Sequence, residues 1–206
     1  MSVPGEPVGT KMGLLSIKGA ATAVTFFLGL GMFLMAFAST EWLGLDEGIS
    51  ISLWKSCSKD YKTKVWTCLA WDVLPDFVRA AQGFCVVGIL TYALSLMILV
   101  AYITVPTLQE TRGVLIALCL LIFSAGCMTL MALIVMGIKG KDFCVDIRRD
   151  ITKLLHYFAL RVNAYGSFYI GWSFVIAILS SIVTLASFAF CMLEFIRVND
   201  MPVRQH

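Results

Sequence analysis

Of the residues in this chain able to do chemistry, the cysteines are the most informative. Cys57 and Cys68 stand in a polar stretch. Ile49, Ile51 and Leu53 alternate there with Ser50, Ser52 and Trp54, a period-2 strand pattern over 49–57. Ser58-Lys59-Asp60-Tyr61 is turn chemistry, and 62–71 is rich in β formers and reads as a second strand. A hairpin of this kind sets Cys57 opposite Cys68, at about the 5.5 Å Cα separation that a disulfide needs. Closing so short a loop contributes about 2–3 kcal/mol to a hairpin that is marginal alone. The alternative is two free thiols in a reducing compartment. Lys59, Lys62 and Lys64 crowd the same hairpin beside Asp60. Exposed charges of this kind add about 0–1 kcal/mol to stability but shape the field over about 8 Å. His156 and His206 have no ligand spacing, and no nucleophile, metal or phosphate motif is present, so neither catalysis nor a cofactor is expected.

The elements that position this hairpin follow from composition. Hydrophobic residues make up 59 % and charged residues 14 % of the 206, against about 45–50 % and about 25 % in soluble domains. Four charge-free gaps hold the excess: Lys18 to Glu41 leaves 22 residues, Arg79 to Glu110 30, Arg112 to Lys139 26 and Arg161 to Glu194 32. About 20 apolar residues cross a bilayer as a helix. Four transmembrane helices are therefore expected, over about 15–39, 78–103, 113–137 and 165–192, with long loops at 41–76 and 138–163. This excludes a soluble enzyme, a nucleic-acid binder and a β-barrel; the net charge of +3 points to no anionic partner. The first span ends in Ala36-Phe37-Ala38, like a signal cleavage site, but at 22 residues it exceeds the 7–15 of a signal core, and a retained helix is expected. The spans lack the ionisable groups that transport cycles use at mid-membrane.

An even number of spans puts both termini on one side. The long loops carry ten Lys and Arg and the termini with the short loop five, which by the positive-inside rule would place the long loops in the cytosol. The flanks of the first helix argue the opposite: Lys11 and Lys18 precede it, and Glu41, Asp46 and Glu47 come after it.

Several residues carry two readings. Trp42 and Trp54 either anchor the hairpin on the helix tops or sit in an interfacial aromatic belt. Arg79 either hydrogen-bonds the outer sheet or snorkels to the interface. Asp76 is a candidate N-cap. Ser180, Thr184, Ser187 and Cys191 share one face of the fourth helix, for close packing within the bundle or for a dimer seam. Phe143, Ile147, Ile151, Leu154 and Phe158 form an amphipathic stripe that packs on the protein's own sheet, docks a partner or rests on lipid. Cys144 is an odd cysteine, free or bridged to another molecule, and Cys191 is a candidate for palmitoylation.

Trp42, then Leu53-Trp54-Lys55-Ser56-Cys57, then Cys68, resembles the W…LW-x-x-C…C signature of the claudin superfamily, which includes claudins, peripheral myelin protein, epithelial membrane proteins and calcium-channel γ subunits. Leu74–Ala81 resembles the arginine-bearing entry to the family's second helix, and Tyr165–Trp172 the start of its fourth. The sequence departs from claudins in Ser52 before Leu53, a short gap from Trp42 to Trp54, a longer second loop and the lack of an Asn-x-Ser/Thr sequon. The resemblance implies an all-α membrane protein: a left-handed four-helix bundle with a small extracellular antiparallel sheet from the first outer loop. It also implies long loops outside, cytoplasmic termini and a plasma-membrane location at cell–cell junctions. The function implied is self-association, or association with claudin-like proteins, through the sheet to form or support a paracellular barrier. Two alternatives are an auxiliary subunit of an ion-channel pore and a regulator of membrane organisation. The C-terminal Arg204-Gln205-His206 lacks the apolar end that a PDZ domain takes.

Overall fold

A computed structural model describes residues 16–45, 48–60, 63–109, 111–149 and 167–200. Four helices in it are long and apolar enough to cross a bilayer. They are α1 (Ile17–Ala38), α2 (Asp76–Thr104), α4 (Arg112–Arg149) and α5 (Trp172–Asp200), with a single turn, α3 (Pro106–Gln109), between α2 and α4. Ser16 opens α1 as an N-cap, its Oγ accepting from Gly19 N at 3.0 Å. The outward faces are as apolar as the interior: Leu28, Leu90, Met97, Leu120 and Ile182 are all more than half exposed. Apolar residues on every face of a helix are the pattern of a multi-pass membrane protein, whose solvent is lipid.

The helices differ from the sequence expectation at four ends. α2 begins after Pro75, and Asp76 is its first helical residue rather than its cap; no side chain caps this end. Proline supplies a fixed φ and lacks only an N–H that would be unpaired there anyway. α4 runs on to Arg149 instead of ending near 137. Lys139 and Lys141 end the apolar stretch but do not break a helix, and α4 passes close beneath the sheet at Gly140, where an added Cβ would overlap Leu43 Cδ1. α5 starts at Trp172, not 165, and continues to Asp200.

The residues before α5 form a strand. Five strands make one antiparallel sheet in the order β4-β3-β2-β1-β5: β1 (Leu43–Leu45), β2 (Ile49–Ile51), β3 (Lys55–Lys59), β4 (Trp66–Ala70) and β5 (Phe168–Ile170). The sheet thus draws on residues expected to open the fourth helix as well as on the first long loop. β1 needs a partner for its free edge, and Phe168-Tyr169-Ile170, all good β formers, supply it with Leu43↔Ile170 and Leu45↔Phe168. Gly171 makes the strand-to-helix step possible: a Cβ there would overlap the Glu41 carbonyl, and its N–H donates to Trp42 O at 2.8 Å. The strand expected over 49–57 is broken at Ser52, whose Oγ accepts from Lys55 N at 3.1 Å and donates to Lys55 O at 2.9 Å. The turn expected at 58–61 lies later. β3 continues through Lys59, and the chain reverses between Asp60 and Val65, with Lys64 at φ 58°.

Leu43, Leu45, Ile49 and Ile51 are buried on the underside of the sheet and share one core with Val78, Ala81, Cys144 and Ile147 of the helices. Within the bundle α1 packs on α5, α5 on α4 and α4 on α2. Hydroxyls bridge these surfaces: Ser180 Oγ donates to Gly29 O at 2.8 Å, Ser187 Oγ to Thr22 O at 3.0 Å, and the Tyr92 and Thr184 hydroxyls lie 2.6 Å apart. Ser180, Thr184, Ser187 and Cys191 are all buried, so this face of α5 serves packing within the chain. Gly29 allows the approach. A Cβ on it would sit 2.5 Å from Thr184 Oγ1, whereas one on Gly31 would meet nothing within 4 Å. Gly29→Ala should therefore cost about 1–3 kcal/mol through overpacking, while Gly31→Ala should be neutral or slightly stabilising. Thermal unfolding of both variants in the same detergent checks the difference; equal midpoints would contradict the close α1–α5 contact.

Candidate functional site

The sheet is mounted on the helix ends by side chains that satisfy backbone groups. The last carbonyls of a helix have no partner inside it. At the end of α1, Trp42 Nε1 donates to Ala36 O at 2.9 Å and Trp54 Nε1 to Phe37 O at 3.0 Å. Ser39 Oγ also donates to Ala36 O, at 2.8 Å. Trp42 is fully buried with its ring edge-on to Phe174, and Trp54 is edge-on to Phe37 with centroids 5.0 Å apart. Both indoles therefore act as anchors. Leu53, between Ser52 and Trp54, is wholly buried. Two further side chains hold this corner: Trp71 Nε1 donates to Ser52 O at 3.3 Å and Gln82 Nε2 to Leu53 O at 2.6 Å.

Arg79 does not hydrogen-bond the sheet. Its side chain is 68 % exposed and pairs with Asp76 at 3.7 Å, one turn away on the same helix. The bond from α2 to the sheet comes instead from Gln82, which sequence reasoning missed. Its signal was present: an amide one turn beyond Arg79, near the start of the charge-free run of α2.

Cys57 and Cys68 are register partners on β3 and β4 and are joined as a disulfide, with Cα atoms 4.0 Å apart. The same register continues across the sheet. Cys57 faces Ser50, Ser50 faces Gly44, and Gly44 faces Tyr169. This row crosses all five strands and floors a cleft of about 310 Å³ lined by Thr40, Glu41, Ser50, Cys57, Trp66, Cys68 and Tyr169. Tyr169 lies over Gly44, where a Cβ would stand 2.7 Å from its ring, and its hydroxyl donates to Glu41 Oε1 at 3.3 Å. Lys59 Nζ stands 6.0 Å from the Trp66 ring centroid, at the outer range of a cation–π contact. Lys64 occupies the turn; Lys62 lies outside the described residues.

β4 differs from the other strands in being exposed along its whole length. Trp66 is 46 % exposed on the cleft face and Leu69 49 % exposed on the other. β4 is also an end strand of the sheet, so one of its edges is unpaired within the sheet. The part of the amphipathic stripe that is described turns inward: Phe143 packs on Phe77 at 5.2 Å, and Ile147 is buried in the core beneath the sheet. Ile151, Leu154 and Phe158 lie outside the described residues. Cys144 is a buried free thiol, out of reach of a second molecule. Cys191 is not a palmitoylation site: it is buried, with its sulfur at disulfide distance from that of Cys119.

Among the described residues no group of three or more His, Cys, Asp or Glu could hold a metal ion. What the arrangement offers is a sheet mounted on the helix ends, with an exposed strand along one edge. No protein-family model matches the chain, and a search of curated proteins finds no match either.

The hydrogen bonds rank the two α2 side chains. Gln82→Ala leaves the buried Leu53 carbonyl without its donor and should cost about 1–3 kcal/mol. Arg79→Ala removes an exposed ion pair worth about 0–1 kcal/mol. Thermal midpoints, with proteolysis in the segment 48–60 as a local readout, should fall for Gln82→Ala and barely move for Arg79→Ala; the reverse order would overturn the assignment.

Proposed function

We propose that this chain is a claudin-like structural membrane protein of cell–cell contacts. Its four helices span the plasma membrane as a left-handed bundle with cytoplasmic termini, and its sheet stands outside the cell. Copies of the chain, or claudin-like relatives, associate through that sheet to form or support a paracellular barrier.

The observation that carries this reading is strand β4. It presents Trp66 and Leu69 on opposite faces and an edge unpaired within the sheet, on a sheet that is otherwise held against the helix tops. An open strand edge is a template for pairing, and large apolar side chains left in water mark interaction sites. The Cys57–Cys68 disulfide stiffens the strand that carries them and suits an oxidising, extracellular space, which supports placing the sheet outside. Lys59 and Lys64 lie beside the apolar residues, at the turn end of the β3–β4 hairpin.

Expression in cells that lack junctions tests the reading. The protein should concentrate where two expressing cells touch and form strands visible by freeze-fracture. A Trp66→Ser, Leu69→Ser double variant should reach the surface normally, because both side chains are exposed, but lose at least most of its enrichment at contacts. Wild-type protein spread evenly over the surface and purifying at fixed stoichiometry with an ion-channel pore subunit would refute the contact function and establish the auxiliary-subunit alternative.

A further inference from the structure

The four long helices form two pairs, α1 with α5 and α2 with α4, and the pairs meet chiefly along α4 and α5. Ser181 Oγ donates to Gly126 O at 3.3 Å, and the rings of Phe123 and Phe188 lie 5.1 Å apart. Further from the sheet along the same seam, Cys119 of α4 faces Cys191 of α5. Their Cα atoms are 5.7 Å apart, inside the range of about 4.4–6.8 Å that a disulfide requires. Both residues are buried, at 3 % and 1 % exposure.

We propose that Cys119 and Cys191 form a second disulfide, which staples the two helix pairs together across their main joint. This bond is unlike Cys57–Cys68. That one links residues 11 apart in a single hairpin, whereas this one links residues 72 apart on two separate helices. Its formation is an exchange with an oxidised dithiol carrier. One cysteine thiolate attacks the carrier's disulfide to give a mixed disulfide, and the other then displaces the carrier's sulfur. Two S–H bonds and the carrier's S–S bond are lost, one S–S bond forms in the protein, and the carrier leaves as the dithiol with both protons and both electrons.

Burial decides when this happens and protects the bond afterwards. Cys119 is seven residues beyond Arg112, roughly 10 Å along the helix axis from the polar end. A water-soluble thiol or disulfide does not reach that depth in the packed bundle. The exchange therefore precedes closure of the α4–α5 seam and draws on a carrier whose own disulfide lies within the membrane, and the finished bond is shielded even though it lies toward the cytosolic side of the proposed topology.

The bond has a local consequence. One turn beyond Cys191, the buried carboxylate of Glu194 accepts from Ser16 Oγ at 2.6 Å and from Tyr102 OH at 3.2 Å, and it pairs with Arg197. These contacts join the start of α1 and the end of α2 to α5. Cys191 and Glu194 line the same small cavity with Gly19, Leu99 and Leu115. Fixing Cys191 to α4 thus holds Glu194 within its ring of donors.

The test is thiol mapping of the full chain from native membranes, lysed in N-ethylmaleimide so that free thiols are capped before any rearrangement. Digestion without reductant should yield a peptide pair linking Cys119 and Cys191 that separates on reduction. Cys85, Cys127 and Cys144, which are free, should carry the cap once the protein is denatured and serve as internal controls. Recovery of Cys119 and Cys191 capped like those controls would overturn the proposal; a reduced Cys191 has a ready acceptor in Leu115 O, 3.9 Å from its sulfur. A second readout uses stability. Cys119→Ser, Cys191→Ser and the double variant should lower the thermal midpoint by the same amount, roughly 5–10 °C, because each removes the same bond. A double variant whose shift is the sum of the two single shifts would show two independent packing residues and contradict the staple. The mapping is done on the wild-type chain and stands even where a variant fails to fold.

Discussion

The rest of the structure depends on how the end of α1 is closed. A helix that leaves an apolar layer exposes its last carbonyls where water is scarce, and those groups must find donors. Here two indoles supply them, Trp42 to Ala36 and Trp54 to Phe37. Because Trp42 directly precedes β1 and Trp54 directly precedes β3, the same bonds that finish the helix fix the height and tilt of the sheet. The backbone then closes the circle: Gly171 and Ser173, at the start of α5, donate to the carbonyls of Trp42 and Glu41. One short stretch of chain therefore ties together α1, α5 and two strands.

The two ends of the bundle solve the same problem with different chemistry. At the sheet end, indole and amide N–H groups meet backbone carbonyls, with Gln82 reaching the Leu53 corner. At the other end a charged group, Glu194, is buried at 1 % exposure and collects hydroxyls from α1 and α2 along with its own neighbour Arg197. A buried carboxylate is tolerable only when so surrounded. Between the ends, Ser180, Ser187, Thr184 and Tyr92 hydrogen-bond across helices without any charge. Small side chains let these helices approach closely.

The helices are legible in the sequence because charge-free gaps long enough to cross a bilayer leave so strong a trace. The cross-strand position of Cys57 and Cys68 is legible from period-2 alternation. What escapes is whatever the gap arithmetic hides. β5 lies inside a gap that reads as continuous helix, since Phe168-Tyr169-Ile170 is as apolar as a span; only the free edge of β1, a tertiary fact, turns it into a strand. α4 outruns its gap because lysines mark the end of an apolar layer and not the end of a helix. Glu194 ends the fourth gap and reads there as a simple boundary, because its partners Ser16 and Tyr102 lie 178 and 92 residues away in sequence. Arg79 stands out as a link to the sheet because charge draws attention, while the neutral Gln82 makes the bond. Cys119 and Cys191 carry no local pattern at all, being brought together solely by the packing of α4 on α5.

The mounting of the sheet by Trp42 and Trp54 is the point on which the fold rests, and amide hydrogen exchange in lipid nanodiscs reads it directly. In a Trp42→Phe, Trp54→Phe variant an aromatic ring remains at each position, while both indole N–H donors and the five-membered half of each indole are lost. Amides of β1, β2 and β3 should then exchange on the order of tenfold faster or more, since each lost bond to a carbonyl is worth about 1 kcal/mol, while the amides of α2 and α4 stay unchanged. Exchange in the sheet that matches the unaltered protein, or that rises equally in sheet and helices, would contradict the claim that these two bonds hold the sheet in place.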